Sequence, residues 1–398
     1  MAPPPGPARE TLVNFESFVE ALEQKIIGTY HNWESFEAEL MKLPRESRTS
    51  NGGVPVDVIP NWFDLGSGVI ARTVEGRKVY AFRAGNFSAS AAVYVQAGIH
   101  AREWLSPSGA LAILHLLSRP TLRRDLPEVA AVLDKCVLYV TPMVNPDGFE
   151  YSVTTDRMWR KNRASNQPVS SCIGVDLNRN FESHFGYSWS SSDPCDFMYR
   201  GTSPWSEEET KGVRNFIHQV LSRHYLGGSL DFHTYGQLIL RQPGWTPGIP
   251  PFVKEETQAY QQLVGTRMSD TIRALGGPHY GVQSGQSMYP VGGSADGWMY
   301  TQTEGDHHLS FAVELRPCFD CNRICFSPPA SFIPGTVLDM YVMIHVMAQH
   351  AISAVEEQPS IAEALTLRRS LISSRGGSAA AALHAARHVA SRRSARRM

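Results

Sequence analysis

The 398-residue chain has little cysteine, six residues in all, and none of them stands in a Cys-x-x-Cys…Cys-x-x-Cys frame. That excludes a cysteine-built zinc ribbon and leaves only Cys318-x-x-Cys321 as an isolated pair. Charge of one sign is not in excess either: the net formal charge is −1. Nothing global therefore argues for a nucleic-acid or membrane-surface partner. No stretch reads as long and apolar enough to span a bilayer. The N-terminus, Met1-Ala2-Pro3-Pro4-Pro5-Gly6, lacks the charged and apolar regions of a secretory leader. There is no internal repeat, and no Pro/Gly/Ser linker divides residues 28–354. What is present is 42% hydrophobic and 19% charged residues, ordinary for a folded protein with a sizeable core.

Short apolar runs alternate with helical patterns. Candidate strands are Val93–Ala97, Cys136–Thr141, Ser229–His233 and Leu309–Leu315, with a hairpin at Val69–Thr73 and Lys78–Phe82. Candidate helices are Phe15–Ile27, Trp33–Leu43, one opening at Ser106-Pro107-Ser108, one opening at Ser206 before Glu207, Glu208 and Glu209, Phe252–Leu275 and Val337–Ala354. Asn145-Pro146-Asp147-Gly148 is a turn signal, and Arg45–Gly53 a surface loop. The alternation predicts an α/β fold with a mixed, mostly parallel sheet between helices. One domain is expected over 29–354, after a short extension at 1–28. It is followed by a basic Ala/Ser/Arg-rich tail at 355–398, expected to be disordered. The span Tyr151–Pro204 is long and poor in hydrophobic residues, which marks it as functional or stapled.

Chemistry-bearing residues stand at strand ends. Val93–Ala97 runs into Gly98-Ile99-His100-Ala101-Arg102-Glu103. His-x-x-Glu offers one imidazole and one carboxylate to a single ion, and a catalytic zinc takes three such ligands. His233, closing Ser229–His233, is the candidate third, since sites in open α/β sheets form at the C-terminal ends of strands. Taken alone it reads as one of 14 histidines. Glu314, inside the apolar Phe311–Leu315, is costly to bury without a role. It is a candidate general base, or a partner of Arg316. Arg160 and Arg179 are candidate carboxylate- or oxyanion-binding forks. Asp176 is the candidate carboxylate that holds a ligand histidine by its other nitrogen.

Taken in order, Gly98–Trp104, Thr141–Gly148, Trp159–Arg163, Val175–Asn180 and Phe311–Arg316 resemble the motifs of the zinc metallocarboxypeptidases of the pancreatic A/B type. The resemblance covers about 29–351. It implies an eight-stranded mixed sheet and one Zn²⁺ held by His100, Glu103 and His233. It also implies hydrolysis of the C-terminal peptide bond with Glu314 as base and acid and Arg160 on the oxyanion. Asn178, Arg179 and Tyr289 would clamp the terminal carboxylate, and Arg102, Thr234 and Tyr235 would touch substrate. Cys172 and Cys195 match the family's common disulfide. A monomer acting on peptides and proteins, without nucleic acid, is implied.

An ungapped count from Tyr289 to Trp298 puts Asp296 at the pocket floor, for C-terminal Lys or Arg. Aligning Gly292-Gly293-Ser294 instead puts Ala295 there, for apolar residues. A catalytically silent peptide-binding member would lack a ligand or the base, and this chain lacks neither. Departures from the pattern are the insertion Pro317–Cys325, where Cys318 and Cys325 are candidates to pair, and the longer Thr301–His308 with its His307-His308. A folded inhibitory domain is also missing ahead of the catalytic one. The family resemblance implies secretion. A start missing from this chain would account for both the absent leader and the absent inhibitory domain.

Overall fold

In the computed structural model the described residues are 24–43, 56–58, 68–119, 122–245, 255–302, 309–320 and 325–358, with isolated residues beyond them. The strands are β1 (Val56–Val58), β2 (Val69–Arg72), β3 (Lys78–Tyr80), β4 (Phe82–Gly85), β5 (Ala91–Ala97), β6 (Cys136–Thr141), β7 (Tyr225–Gly236), β8 (Leu238–Arg241), β9 (Gly281–Ser284) and β10 (Leu309–Cys318). Eight of them form one sheet in the order β1-β4-β6-β5-β7-β10-β8-β9. The four central strands β6, β5, β7 and β10 are mutually parallel; β4 and β8 join them antiparallel on either side, β1 pairs antiparallel with β4, and β9 pairs parallel with β8. β2 and β3 make a separate two-stranded sheet, as the hairpin reading has it.

The central strands are apolar throughout because both faces are covered. Every residue of β5 and β6 is buried. On one face lie the helices Leu105–Ser118 and Ile333–Glu357, in the larger core. On the other, Glu208–Arg223 packs with Tyr94, Tyr139 and Trp298 in a second core. Parallel sheets buried on both faces read as continuous hydrophobic runs, which is why these strands stand out in the sequence.

Several elements differ from the sequence reading. Ile333–Glu357 is 25 residues long, and the stretch Ala330–Glu357 meets the length and composition of a membrane span, contrary to expectation. Its apolar window is 72% buried against the sheet, so the apolarity serves the core. Asn145 begins a helix, Pro146–Thr154, rather than a turn: its side chain accepts from Gly148 N, and Pro146 needs no donor at the first helical position. In Glu208–Arg223 the N-cap position is held by Glu207, without a side-chain capping bond, and not by Ser206, whose hydroxyl donates to the Glu207 carboxylate instead.

Within Phe15–Ile27 the described helix is Gln24–Ile27, and Phe252–Leu275 is a helix over Glu255–Ala274. Arg45–Gly53, His307-His308 and most of the tail lie outside the described residues. Cys172 and Cys195 form a disulfide inside Tyr151–Pro204. Cys318 is disulfide-bonded while Cys325 is a free thiol, so the expected pairing of those two does not occur.

Candidate metal centre and substrate cavity

Three parallel strands bring the site together at their C-terminal ends. After β5, Gly98 takes φ +66, and a Cβ there would stand 2.7 Å from Met143 Sδ. The chain can then turn, with Glu103 N bonding His100 O at 3.2 Å, so both side chains face inward before the next helix. His233 is on β7. Glu314, on β10, is the register partner of His233, which sets the two side chains on the same face of adjacent strands.

His100, Glu103 and His233 are buried, and their donor atoms lie within 4.8 Å of one another. His100 Nδ1 is 2.8 Å from Glu103 Oε1, His233 Nδ1 is 3.0 Å from Glu103 Oε2, and the two Nδ1 atoms are 3.1 Å apart. Each outer ring nitrogen faces a carboxylate at ion-pair distance: His100 Nε2 lies 3.3 Å from Asp176 Oδ1 and His233 Nε2 lies 3.0 Å from Asp231 Oδ2. A proton kept on the outer nitrogen leaves a lone pair on each Nδ1, aimed at the common point. Thr234 N donates to Glu103 Oε2 at 3.2 Å, holding the carboxylate in place.

The electrostatics ask for a cation there. Burial opposes charge on Glu103, but His100 and His233 outweigh it and hold its carboxyl well below the usual range. Burial likewise opposes a proton on His233, yet Asp231 and Glu103 raise its affinity for one well above an ordinary imidazole. Two nitrogens and one carboxylate, buried and preoriented, are the donor set of a catalytic zinc site. The residues fit Zn²⁺.

Around this cluster one cavity is lined by the trio together with Arg160, Asn178, Arg179, Tyr289, Asp296 and Glu314. Arg160 donates from Nε and Nη2 to Asp176 Oδ2 at 3.0 and 2.9 Å, so one carboxylate supports both a histidine and the arginine. Burial opposes charge on Asp176, but Arg160, Arg179 and His100 keep it ionised. Glu314 is the opposite case: burial dominates, and its carboxyl is pushed up to about 8. Arg179 is held by Trp189 O at 2.8 Å and Asn178 O at 2.7 Å, while Asn178 Oδ1 accepts from Ala295 N at 2.8 Å. The Tyr289 hydroxyl reaches Arg179, and the Tyr289 ring lies 4.9 Å from that of Trp189. Gly293 (φ +76) lets the loop that carries Tyr289 pack on Arg179, since a Cβ there would meet Arg179 O at 2.3 Å.

Other expected site residues lie elsewhere. Arg102 lines a neighbouring cleft with Arg160, its guanidinium 4.1 Å over the Phe326 ring. Tyr235 packs on Phe319 and Phe326. Asp176 and Thr234 stand behind the metal trio. Ala295 is buried but is not among the residues described as lining the cavity, whereas Asp296 is. Sequence reasoning missed Asp231, although a buried acid two places before His233 on a strand shares its face. It also missed Gln242, Ser294 and Ala312 in the cavity wall, which carried no local signal.

The fold and this donor set define a class, and comparison supplies it: the chain belongs to the zinc carboxypeptidase family, whose model matches residues 67–343. Among relatives, human mast cell carboxypeptidase A is 35% identical over 285 residues, covering 71% of this chain and 64% of that protein. Human carboxypeptidase B is 31% identical over 325 residues, covering 81% of this chain and 71% of that protein. Among solved structures, bovine thrombin-activatable fibrinolysis inhibitor in complex with tick carboxypeptidase inhibitor superposes with TM-score 0.68 at 26% identity, over 82% of this chain and 99% of that one. The match thus spans just under two thirds of the length of the mast cell relative.

Proposed function

We propose that this protein is a zinc-dependent exopeptidase that removes the C-terminal residue of peptides and proteins, with a preference for Lys and Arg. The observation that carries the reading is one cavity lined at once by the metal trio, by a buried carboxyl on the neighbouring strand and by an immobilised guanidinium, Arg179. Zinc, when bound, supplies Lewis acidity that polarises a carbonyl and acidifies water. In its ionised form Glu314 takes the proton from the attacking water, and as the acid so formed it delivers that proton to the leaving amine. Arg160, held by Asp176, faces the oxygen on which negative charge grows. Asn178, Arg179 and Tyr289 receive the terminal carboxylate, and an internal peptide would leave that buried cation unpaired. Asp296, at the floor, pairs with a cationic side chain. Arg102, Thr234 and Tyr235 border the path of the residues upstream.

The domain that does this is read as 29–354, flanked by the 1–28 extension and the 355–398 tail. The Cys172–Cys195 disulfide supports an oxidising, extracellular compartment.

The test is a panel of short peptides ending in Arg, Lys, Leu or Phe, given to metal-replete protein. Release of the basic residues is expected, abolished by a chelator and reduced about 10²- to 10⁴-fold by Glu314→Gln. No release from any peptide would sink the reading, and an aromatic profile would sink the role of Asp296.

A further inference from the structure

Gln242 follows β8 and is 1% exposed, yet it lines the substrate cavity. Its Nε2 donates to Asp296 Oδ2, and its Oε1 accepts from Gly244 N at 2.8 Å. Exchanging the two ends of the amide would set oxygen against carboxylate and nitrogen against N–H, so the partners fix its orientation. The backbone is held as well: Gln258 Nε2 donates to Gln242 O at 2.6 Å, and Gln258 Oε1 takes Arg241 Nη1 at 2.8 Å. Asp296 is further bonded by the Ser294 side chain and the Gly297 backbone. The donors to Asp296 itself, Gln242, Ser294 and the Gly297 backbone, are all neutral. Burial, and then Asp231 of its own sign, raise the Asp296 carboxyl above the usual carboxylate range, while the Ser294 side chain, the candidate metal ligand His233 and the Gly297 backbone act against that rise. In the same cavity wall, Gly244 and Gly285 approach so closely that a Cβ on Gly285 would stand 3.3 Å from Gly244 Cα.

We infer that Gln242 is a specificity-determining positioning residue: its fixed amide orients the Asp296 carboxylate and solvates it without neutralising it, leaving the negative charge for a cationic C-terminal side chain. This rests on the reading of Asp296 as the pocket floor. A buried carboxylate needs donors to remain ionised, and a cationic donor would cancel the charge that selects the substrate. A neutral amide meets the first need and spares the second.

The experiment compares kcat and KM on peptides ending in Arg and in Leu for the wild type, Gln242→Met, Asp296→Asn and the double variant. In Gln242→Met the Arg-over-Leu ratio of kcat/KM falls about tenfold, the loss of one hydrogen bond to a charged group. The loss is carried mainly by KM for the Arg peptide. In the Asp296→Asn background the same change has no further effect on the ratio, because Gln242 acts through Asp296. Gln242→Ala carries the same comparison should Gln242→Met not fold. An unchanged ratio, an equal loss on both peptides, or a full additional loss in the Asp296→Asn background overturns the inference alone. A wild type without preference for Arg overturns the reading of Asp296 and this inference with it.

Discussion

Glu209 illustrates how burial acts on one side chain. It sits in the first turn of the helix Glu208–Arg223, fully buried, and burial with help from Glu207 pushes its carboxyl up to about 8. The folded state therefore holds a proton that the unfolded chain releases at ordinary carboxylate pH. Its contribution to stability is complete below the unfolded pKa and is lost as pH rises toward about 8. The slope is up to about 1.4 kcal/mol per pH unit. Glu209→Gln should remove this part of the slope, so that urea unfolding at pH 5 and pH 8 differs less than in the wild type. An unaltered difference would show that Glu209 is not buried as a carboxyl. Glu314 is raised in the same direction and to the same value, but unlike Glu209 it lines the cavity, where it is the proposed base.

Among the elements, β7 and the helix Ile333–Glu357 meet through glycine. A Cβ on Gly227 would stand 2.4 Å from Ala351 Cβ and 2.6 Å from Ala351 Cα, which is backbone and cannot yield. At Gly228 the tightest obstacle is the end of the Met347 side chain, which can swing away, and the backbone atom Leu309 O is next at 3.0 Å, a closeness that needs only a small shift. Gly227→Ala should cost about 1–3 kcal/mol by overpacking, and Gly228→Ala clearly less, read from denaturant midpoints. Equal costs would mean that the helix can shift.

The Cys172–Cys195 disulfide closes a separation of 23 residues within the loop-rich span that carries Asn178 and Arg179. Replacing both cysteines by serine should lower stability by about 3 kcal/mol and raise KM, since Asn178 and Arg179, the proposed carboxylate clamp, lose their tether. A KM that stays put in the folded variant would count against a link between the staple and the clamp.

For the molecule as a whole, the metal trio joins β7 to the turn after β5. An ion bound there stabilises only the folded chain, by about 2.7 kcal/mol at a hundredfold excess over Kd. Thermal unfolding should therefore shift upward on addition of zinc to chelator-stripped protein. His233→Ala should abolish the shift, whether or not activity is measured. A shift that survives in His233→Ala would place the ion elsewhere.

His100 and Glu103 were legible because they are three residues apart at the end of an apolar strand. Asn145-Pro146 misled because a turn and a helix start share the same local chemistry, and only the continuation of the chain through Thr154 separates them. The long helix Ile333–Glu357 carried an ambiguity of its own: apolar length alone does not tell a core helix from a membrane span.

By itself the sequence determined the alternation of strands and helices, the family and the chemical types gathered at strand ends, because these depend on local periodicity and on which groups can bind an ion or move a proton. Only the tertiary structure decided that Glu314 pairs in register with His233, that Asp231 backs that histidine, that Cys325 stays free and that Gln242 reaches Asp296. Those contacts join residues on different strands and loops, and sheet order, which no local pattern encodes, is what brings them within bonding distance.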